Sequence, residues 1–315
     1  MSQPTLLIGL SAVMVAIADG EPHVLVTQRP SGEEALPFGP FDPVNHRTFD
    51  LSLRGWVLEQ TGFELGYVEQ LYTFGDKNRD TPEATVVGAP ADARVISVGY
   101  LALTPEERPV AAKFEARWRS WYQYFPWEDH RAGRPALIDA EIAPRLKTWA
   151  AGNDRRLQRA RTAFGLDGAR WAENQVLERY ELLYEAGLVA ECARDAGLPD
   201  AGFRLGLSMA SDHRRILATG AARLRGKIKY RPVVFELMPE RFTLSELQRA
   251  TEAILGLQLH TQNFRRALEK TGLVTGTGQM ETSTGGRPAE LFTYCRDPAG
   301  SFSAPGLATP RKSAD

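Results

Sequence analysis

The stretch that most constrains this 315-residue chain is its C-terminal third, where helix signals and a glycine-tipped hairpin follow one another in a fixed order. Ser211 or Asp212 opens a helical segment, DHRRILATGAARLRGKIK, carrying Arg214, Arg215, Arg223, Arg225, Lys227 and Lys229. After a proline break and the apolar run PVVFELMP, Thr243 and Glu246 have the spacing of a capping box, in which each side chain satisfies a backbone N–H left unpaired at a helix start. Leu244, Leu247, Ala250 and Ile254 keep helical spacing as far as Gly256, a helix-ending glycine. Thr261 is then expected to cap a third helix, TQNFRRALEKTG, with Phe264, Ala267 and Leu268 inward and Gln262, Asn263, Arg265, Arg266 and Lys270 outward. Asn and Gln pair bidentately with adenine, Arg pairs with guanine, and Lys holds phosphate. Such a set at a helix N-terminus suits the major groove of DNA. The segment VTGTGQMETSTGGRPAELFTY reads as two strands turning at Gly285-Gly286, with Arg287 at the tip. The order describes a winged helix-turn-helix over residues 211–297 that reads double-stranded DNA through Thr261, Gln262, Asn263, Arg265, Arg266, Lys270 and Arg287. The same fold also serves protein assembly, which is the competing reading. Gly276-x-Gly278 starts no dinucleotide fingerprint, because Glu281 stands where the third glycine belongs and no helix signal follows.

Charge supports a polyanionic partner only locally. The formal net charge is -1, yet residues 221–272 hold ten Lys/Arg against five Asp/Glu. With 43% hydrophobic residues the composition is that of an ordinary globular protein of two or three domains. Cys192 and Cys295 belong to no CxxC or Cys/His cluster, so neither a disulfide framework nor a zinc site is indicated, and a reducing cytoplasm fits. The apolar stretch Thr5 to Ala18 lacks a basic start and runs into Asp19-Gly20; it reads as a buried strand, not a membrane anchor.

Leu6 to Arg29 reads as a hairpin, Ser31 to Phe49 as loop, Leu51 to Gln60 as a helix closed by Gly62, and Tyr67 to Phe74 and Arg94 to Leu103 as strands. The sum is an α+β domain over residues 1–105. Ala111 to Tyr124, Glu141 to Ala151 and Ala169 to Gly187 carry apolar and aromatic residues at helical spacing, which predicts a helical insert over 106–210 for dimerisation or coupling. Trp118, Trp121, Trp127, Trp149 and Trp171 fall here and read as core. The Pro-, Ala- and Ser-rich residues 298–315 read as a disordered tail.

The run KYRPVVFELMPERFTLSELQRATEAILG followed by NFRR resembles the winged-helix domain of the Nudix-related regulators of NAD metabolism, a family of bacterial repressors. Together with DHRRILATGAARLRGK the likeness is strongest to the NAD-biosynthesis regulators of alphaproteobacteria, and it spans roughly residues 5 to 103 and 205 to 294. The resemblance implies a Nudix-like α/β/α domain ahead of the helical middle. Nudix hydrolases carry G-x5-E-x7-R-E-U-x-E-E-x-G-U, whose carboxylates hold magnesium against a diphosphate. Here LPFG, ending at Gly39, resembles the loop start and Glu59-Gln60-Thr61-Gly62-Phe63 the box end. Gly55 stands at the Arg of the box, Trp56 at the first helix Glu, Glu59 at the next, Gln60 at the third, and Arg47 where the upstream Glu belongs. One carboxylate of the helix triad remains, so the expectation is no catalytic residue, no metal site, no required cofactor and no hydrolysis. The competing reading is an active Nudix-type hydrolase with an accessory winged helix.

QLYTFGDKNRD followed by RVISVGYLAL resembles the ligand-binding stretch of those regulators. Arg29, Arg79 and Arg94 are candidate phosphate partners, because a guanidinium binds phosphate bidentately, and Asp76 is a candidate acceptor for a ribose hydroxyl. The resemblance therefore implies a homodimeric repressor of NAD-biosynthesis genes on operator DNA, responding to an adenine nucleotide of the NAD, ATP or ADP-ribose type, with no membrane partner.

Overall fold

The computed structural model describes residues 6–29, 31–76, 93–105, 116–199, 202, 204–281 and 288–295. The expected tail at 298–315, and the candidate residues Arg79 and Arg287, lie outside them.

The first strand, β1 (Leu6–Ala18), is the axis of the N-terminal unit. Its residues alternate between two cores. Leu10, Ala12 and Met14 join Leu53, Val57 and Phe63 on one face, while Val13 and Val15 join Ile216 and Leu217 on the other. Burial on both faces is why the strand reads as an unbroken apolar run. Asp19 and Gly20 both take positive φ, 49° and 74°, the conformation a two-residue hairpin turn requires, and β2 (Glu21–Gln28) returns antiparallel. The remaining strands are β3 (Glu34–Ala35), β4 (Phe38–Pro40), β5 (Tyr67–Phe74), β6 (Arg94–Leu103) and β7 (Ala116–Ser120). They form a seven-stranded sheet in the order β3-β2-β1-β6-β5, with β4 added to β1 and β7 to β2. Among the described strands of this sheet, only the β1–β6 pairing is parallel.

Helix α1 (Phe49–Thr61), capped by Thr48 and ended at Gly62, covers one face of this sheet. The middle supplies a single π turn (Ile138–Ile142) running into α2 (Ala143–Trp149), then α3 (Asp154–Phe164), α4 (Val176–Glu185) and α5 (Ala190–Asp195). Helix α6 (His213–Ile228) lies across the second face, so close to β1 that a Cβ on Gly220 would stand 2.9 Å from Val13 Cγ1.

Within 111–124, read as helical, the described part holds β7, paired along β2 from His23↔Ser120 to Thr27↔Ala116. Trp118 packs edge-on against Phe63 on the α1 side, while Arg117 and Arg119 reach the Glu34 carboxylate. This is a period of two, masked in the sequence by aromatics that happen to fall at helical spacing. Helix α3 was not anticipated, although Asn153 caps it, accepting from Arg156 N at 3.1 Å, and Gly165 ends it. Trp118, Trp121, Trp127, Trp149 and Trp171 all pack into the two main cores.

The C-terminal unit consists of β8 (Phe242–Thr243), α7 (Leu244–Leu255), α8 (Thr261–Thr271), β9 (Val274–Glu281) and β10 (Ala289–Tyr294), with the strands ordered β8-β10-β9. Both halves of the Thr243/Glu246 capping box are formed. Helix α8 is not capped by Thr261, however. His260 takes the cap position without a side-chain bond, and Thr261 is the first helical residue. Its hydroxyl accepts from Gln248 Nε2 at 3.3 Å, an amide that also reaches Glu252 and the Leu259 carbonyl, so the hydroxyl is used between the helices.

This unit is locked to the rest at the end of α7. Tyr122 donates to the Ala253 carbonyl at 2.6 Å, Arg225 Nε to the Ile254 carbonyl at 2.7 Å, and the His130 N–H to the Gly256 carbonyl at 2.8 Å. These donors satisfy carbonyls that a helix end leaves unpaired. Arg225 also meets the buried Glu128, which Arg179 of α4 grips through two bonds of 2.5 and 2.8 Å. Gly256 closes the joint with φ of 66°, and a Cβ there would lie 2.3 Å from the Glu128 carbonyl. Gly256→Ala combines a left-handed alanine, itself costing about 1–2 kcal/mol, with that clash. It should lower stability by at least about 2 kcal/mol, read as a shift in denaturant midpoint; an unchanged midpoint would mean the joint yields freely.

Candidate functional site

The outward face of α8 is cationic and open. Thr261, Gln262, Arg265, Arg266 and Lys270 are exposed, Asn263 is half-buried, and Phe264 and Leu268 are buried beneath them. Arg265, Arg266 and Lys270, with Arg249 on the exposed side of α7, make no ion pair among the described residues. The short turn from Gly256 to His260 sets α8 against α7, and β9 and β10 follow it as the hairpin.

The basic helix ahead of this unit behaves in the opposite way, which corrects its reading as part of a DNA-facing charge excess. In α6, Arg214 and Arg225 are fully buried, on Glu191 and Glu128 respectively. Arg223 and Lys227 both pair with Glu69, and beyond the helix Lys229 pairs with Glu173. Burial alone would push the Glu69 carboxyl up, but hydrogen bonds from Lys227 and Tyr67 outweigh it and hold its pKa below the usual value. For Glu128 the same contest ends the same way: burial opposes ionisation, and the charges of Arg179 and Arg225 prevail. The positive charges of α6 are committed inside the fold.

Three of the candidate nucleotide contacts are described, and they gather where β5 ends and α6 begins. Asp76 accepts from Arg215 at 2.5 Å, and Arg215 also pairs with Asp212 and Glu181. Arg94 donates to the Gly75 carbonyl at 2.6 Å. Arg29 stands 5.8 Å from the Phe38 ring centre, and Phe38 lies 5.9 Å from the ring of His213. His213 is buried, its Nδ1 accepts the Leu36 N–H at 2.8 Å, and burial, then the charges of Arg29 and Arg194, hold its pKa well below the ordinary value. Sequence reading missed His213 and Arg215 at this end, because it grouped their helix with the winged-helix segment 211–297.

On α1 the positions of the lost carboxylates have other uses. Trp56 donates to the Pro40 carbonyl at 2.9 Å, and its ring fills the space that a side chain on Gly39 would need. Gln60 clamps β4 from both ends of its amide, donating to Phe38 O at 2.6 Å and accepting from Phe38 N at 3.2 Å. Glu59 is exposed. Among the described residues no group of three or more His, Cys, Asp or Glu side chains is placed to hold a metal ion, so this surface does not fit a magnesium site. Also among the described residues, no helix is long and apolar enough to cross a membrane.

Fold and surfaces together define a Nudix-like α/β/α unit carrying a winged helix. Residues 234–294 match the family model of the NrtR DNA-binding winged helix domain, inside the 211–297 segment expected from sequence. The crystal structure of Shewanella oneidensis NrtR matches with a TM-score of 0.58 at 22% identity, covering 96% of this chain and 100% of that one. The same protein bound to a 27mer DNA gives 0.54 at 21%, covering 96% and 99%. A MutT/nudix family protein from Enterococcus faecalis gives 0.53 at 17%, covering 94% and 88%. These spans take in the helical middle, which the sequence resemblance had left out. In sequence, the chain is 41% identical over 90 residues to the ADPR responsive transcriptional repressor NtrR of Acinetobacter baylyi (strain ATCC 33305 / BD413 / ADP1). That match spans 29% of this chain and 36% of the relative, about a third of its length. The sequence likeness thus lies in part of the chain, with the family model on the winged helix, and the solved structures show a shared fold over the whole.

The Gln60 clamp is testable. Gln60→Glu restores the residue type of the Nudix box but removes the donor to Phe38 O and sets a carboxylate against it. Leaving that carbonyl unpaired should cost about 1–3 kcal/mol of unfolding free energy. A variant as stable as the parent would show that the clamp is dispensable.

Proposed function

We propose that the chain is a transcriptional repressor of NAD-biosynthesis genes, a homodimer whose two α8 helices read the half-sites of an operator. Its Nudix-like unit binds a nucleotide of the ADP-ribose type and adjusts the grip on DNA without hydrolysing it. The observation that carries this reading is the contrast between two basic helices. The cations of α6 are paired within the protein, whereas Arg249, Arg265, Arg266 and Lys270 are exposed without an ion pair among the described residues. Exposed, uncompensated cations on a helix that also carries Gln262 and Asn263 are what a phosphate backbone and base edges require. The winged-helix family match and the name of the Acinetobacter relative support the same assignment and suggest ADP-ribose as the effector. Arg29, Asp76 and Arg94 are the proposed effector contacts of the described chain, with Arg79 beside them in sequence; Arg287 is the proposed wing contact. The absence of hydrolysis follows from Trp56 and Gln60 being occupied in packing and β4 clamping.

An operator duplex selected from random-sequence DNA by the full-length protein tests the reading. Arg265→Ala and Arg266→Ala should each weaken binding by about 1–3 kcal/mol at fixed salt if they touch bases, and Lys270→Ala should lower the salt slope by about one. Unchanged affinity and slope in all three variants would sink the assignment of α8.

A further inference from the structure

Helices α3 and α4 of the helical middle are tied together at two points. Arg159 reaches Glu185 through two bonds of 2.7 and 2.6 Å, and Arg179 crosses from α4 to the Ala163 carbonyl at 3.0 Å. The two helices and the residue ahead of α4 enclose a cleft of about 430 Å³, room for a small organic molecule. Its walls are hydrocarbon: Ala163 and Leu182 are buried, and Leu177 is half-buried against the main core.

The polar groups of the cleft favour a donor. Gln175, at the start of α4, lines it, and its Oε1 is buried and accepts no hydrogen bond among the described residues. Nor does this side chain cap the helix it precedes. A buried carbonyl without a donor is destabilising, because it has given up water and gained nothing in return. Glu178 and Glu181 add two carboxylates from α4. Glu181 is paired with Arg215, whereas Glu178 is exposed and makes no ion pair among the described residues. The guanidinium of Arg159, which also lines the cleft, is already taken by Glu185. An unfilled acceptor, a free carboxylate and apolar walls disfavour an anion such as a phosphate and suit an apolar body that carries N–H groups and a positive charge.

We propose that this cleft is a second small-molecule site, apart from the nucleotide contacts of the Nudix-like unit, and that it takes a monovalent organic cation bearing an amidinium or ammonium group. The hydrocarbon body lies against Ala163, Leu177 and Leu182. One N–H meets Gln175 Oε1, and the charge faces Glu178.

Benzamidine, benzamide and benzoate are cationic, neutral and anionic versions of nearly the same body, and ligand-observed NMR with the full-length protein compares them. Benzamidine should bind, benzamide more weakly, and benzoate not at all. Glu178→Gln should weaken benzamidine by about three- to fivefold, the scale of one exposed ion pair, and remove its advantage over benzamide. Thr162→Trp, which sets a large ring on the exposed rim of the cleft, should abolish binding. Both replaced residues are exposed, so the Tm of the ligand-free protein should stay unchanged. The proposal is overturned by any of four results: no binding of benzamidine, equal binding of the three probes, benzamidine binding that survives Thr162→Trp, or a preference for the cation that survives Glu178→Gln.

Discussion

The carboxylate of Glu128 holds the molecule together. It is buried between Arg179 of the helical middle and Arg225 of α6, whose own Nε bonds the last turn of α7. Arg179 further bonds the Ala163 and Ala172 carbonyls and lies 3.7 Å from the ring centre of Trp171. A buried ion pair is weak evidence for net stability, but losing one partner strands a charge at a cost of about 3–5 kcal/mol. The cluster therefore acts by geometry: the helical middle and α6 must converge on one carboxylate, and Arg225 carries that contact on to the last turn of α7. The bare backbone of Gly256 and the Tyr122 hydroxyl complete the contact.

From that constraint follows the division of labour between basic helices. Helix α6 crosses the sheet with one end beside Asp76 and the other at α7, and its charges are spent on Glu69, Glu128, Glu181 and Glu191. Helix α8 projects beyond this framework and keeps its cations in solvent. The same residue types thus serve as internal struts in one helix and as an open surface in the next, and only three-dimensional neighbours distinguish them.

Much of this was legible in the residues. Local chemistry marked the Asp19-Gly20 turn, the Thr243/Glu246 box, the Gly62 and Gly256 stops and the outward face of α8, because each depends on neighbours within about five positions. What escaped depends on distant partners. Strand β7 was read as helix because its alternation has meaning only beside β2 and Glu34. Arg214, Arg215 and Arg225 stood out in the sequence only as basic residues of a helix, because their carboxylates, on Glu191, Asp76 and Glu128, lie 23, 139 and 97 positions away. The losses at Trp56 and Gln60 were visible as departures from the box, but their new roles against Pro40 and Phe38 were not.

The central claim is that the winged helix is fixed to the Nudix-like unit, not tethered to it. Hydrogen exchange of the full-length protein across a denaturant series tests it most directly, by comparing amides of α7 with those of β1. The account predicts that both open in one cooperative step with a common midpoint. Exchange of α7 at lower denaturant, while β1 stays protected, would contradict it.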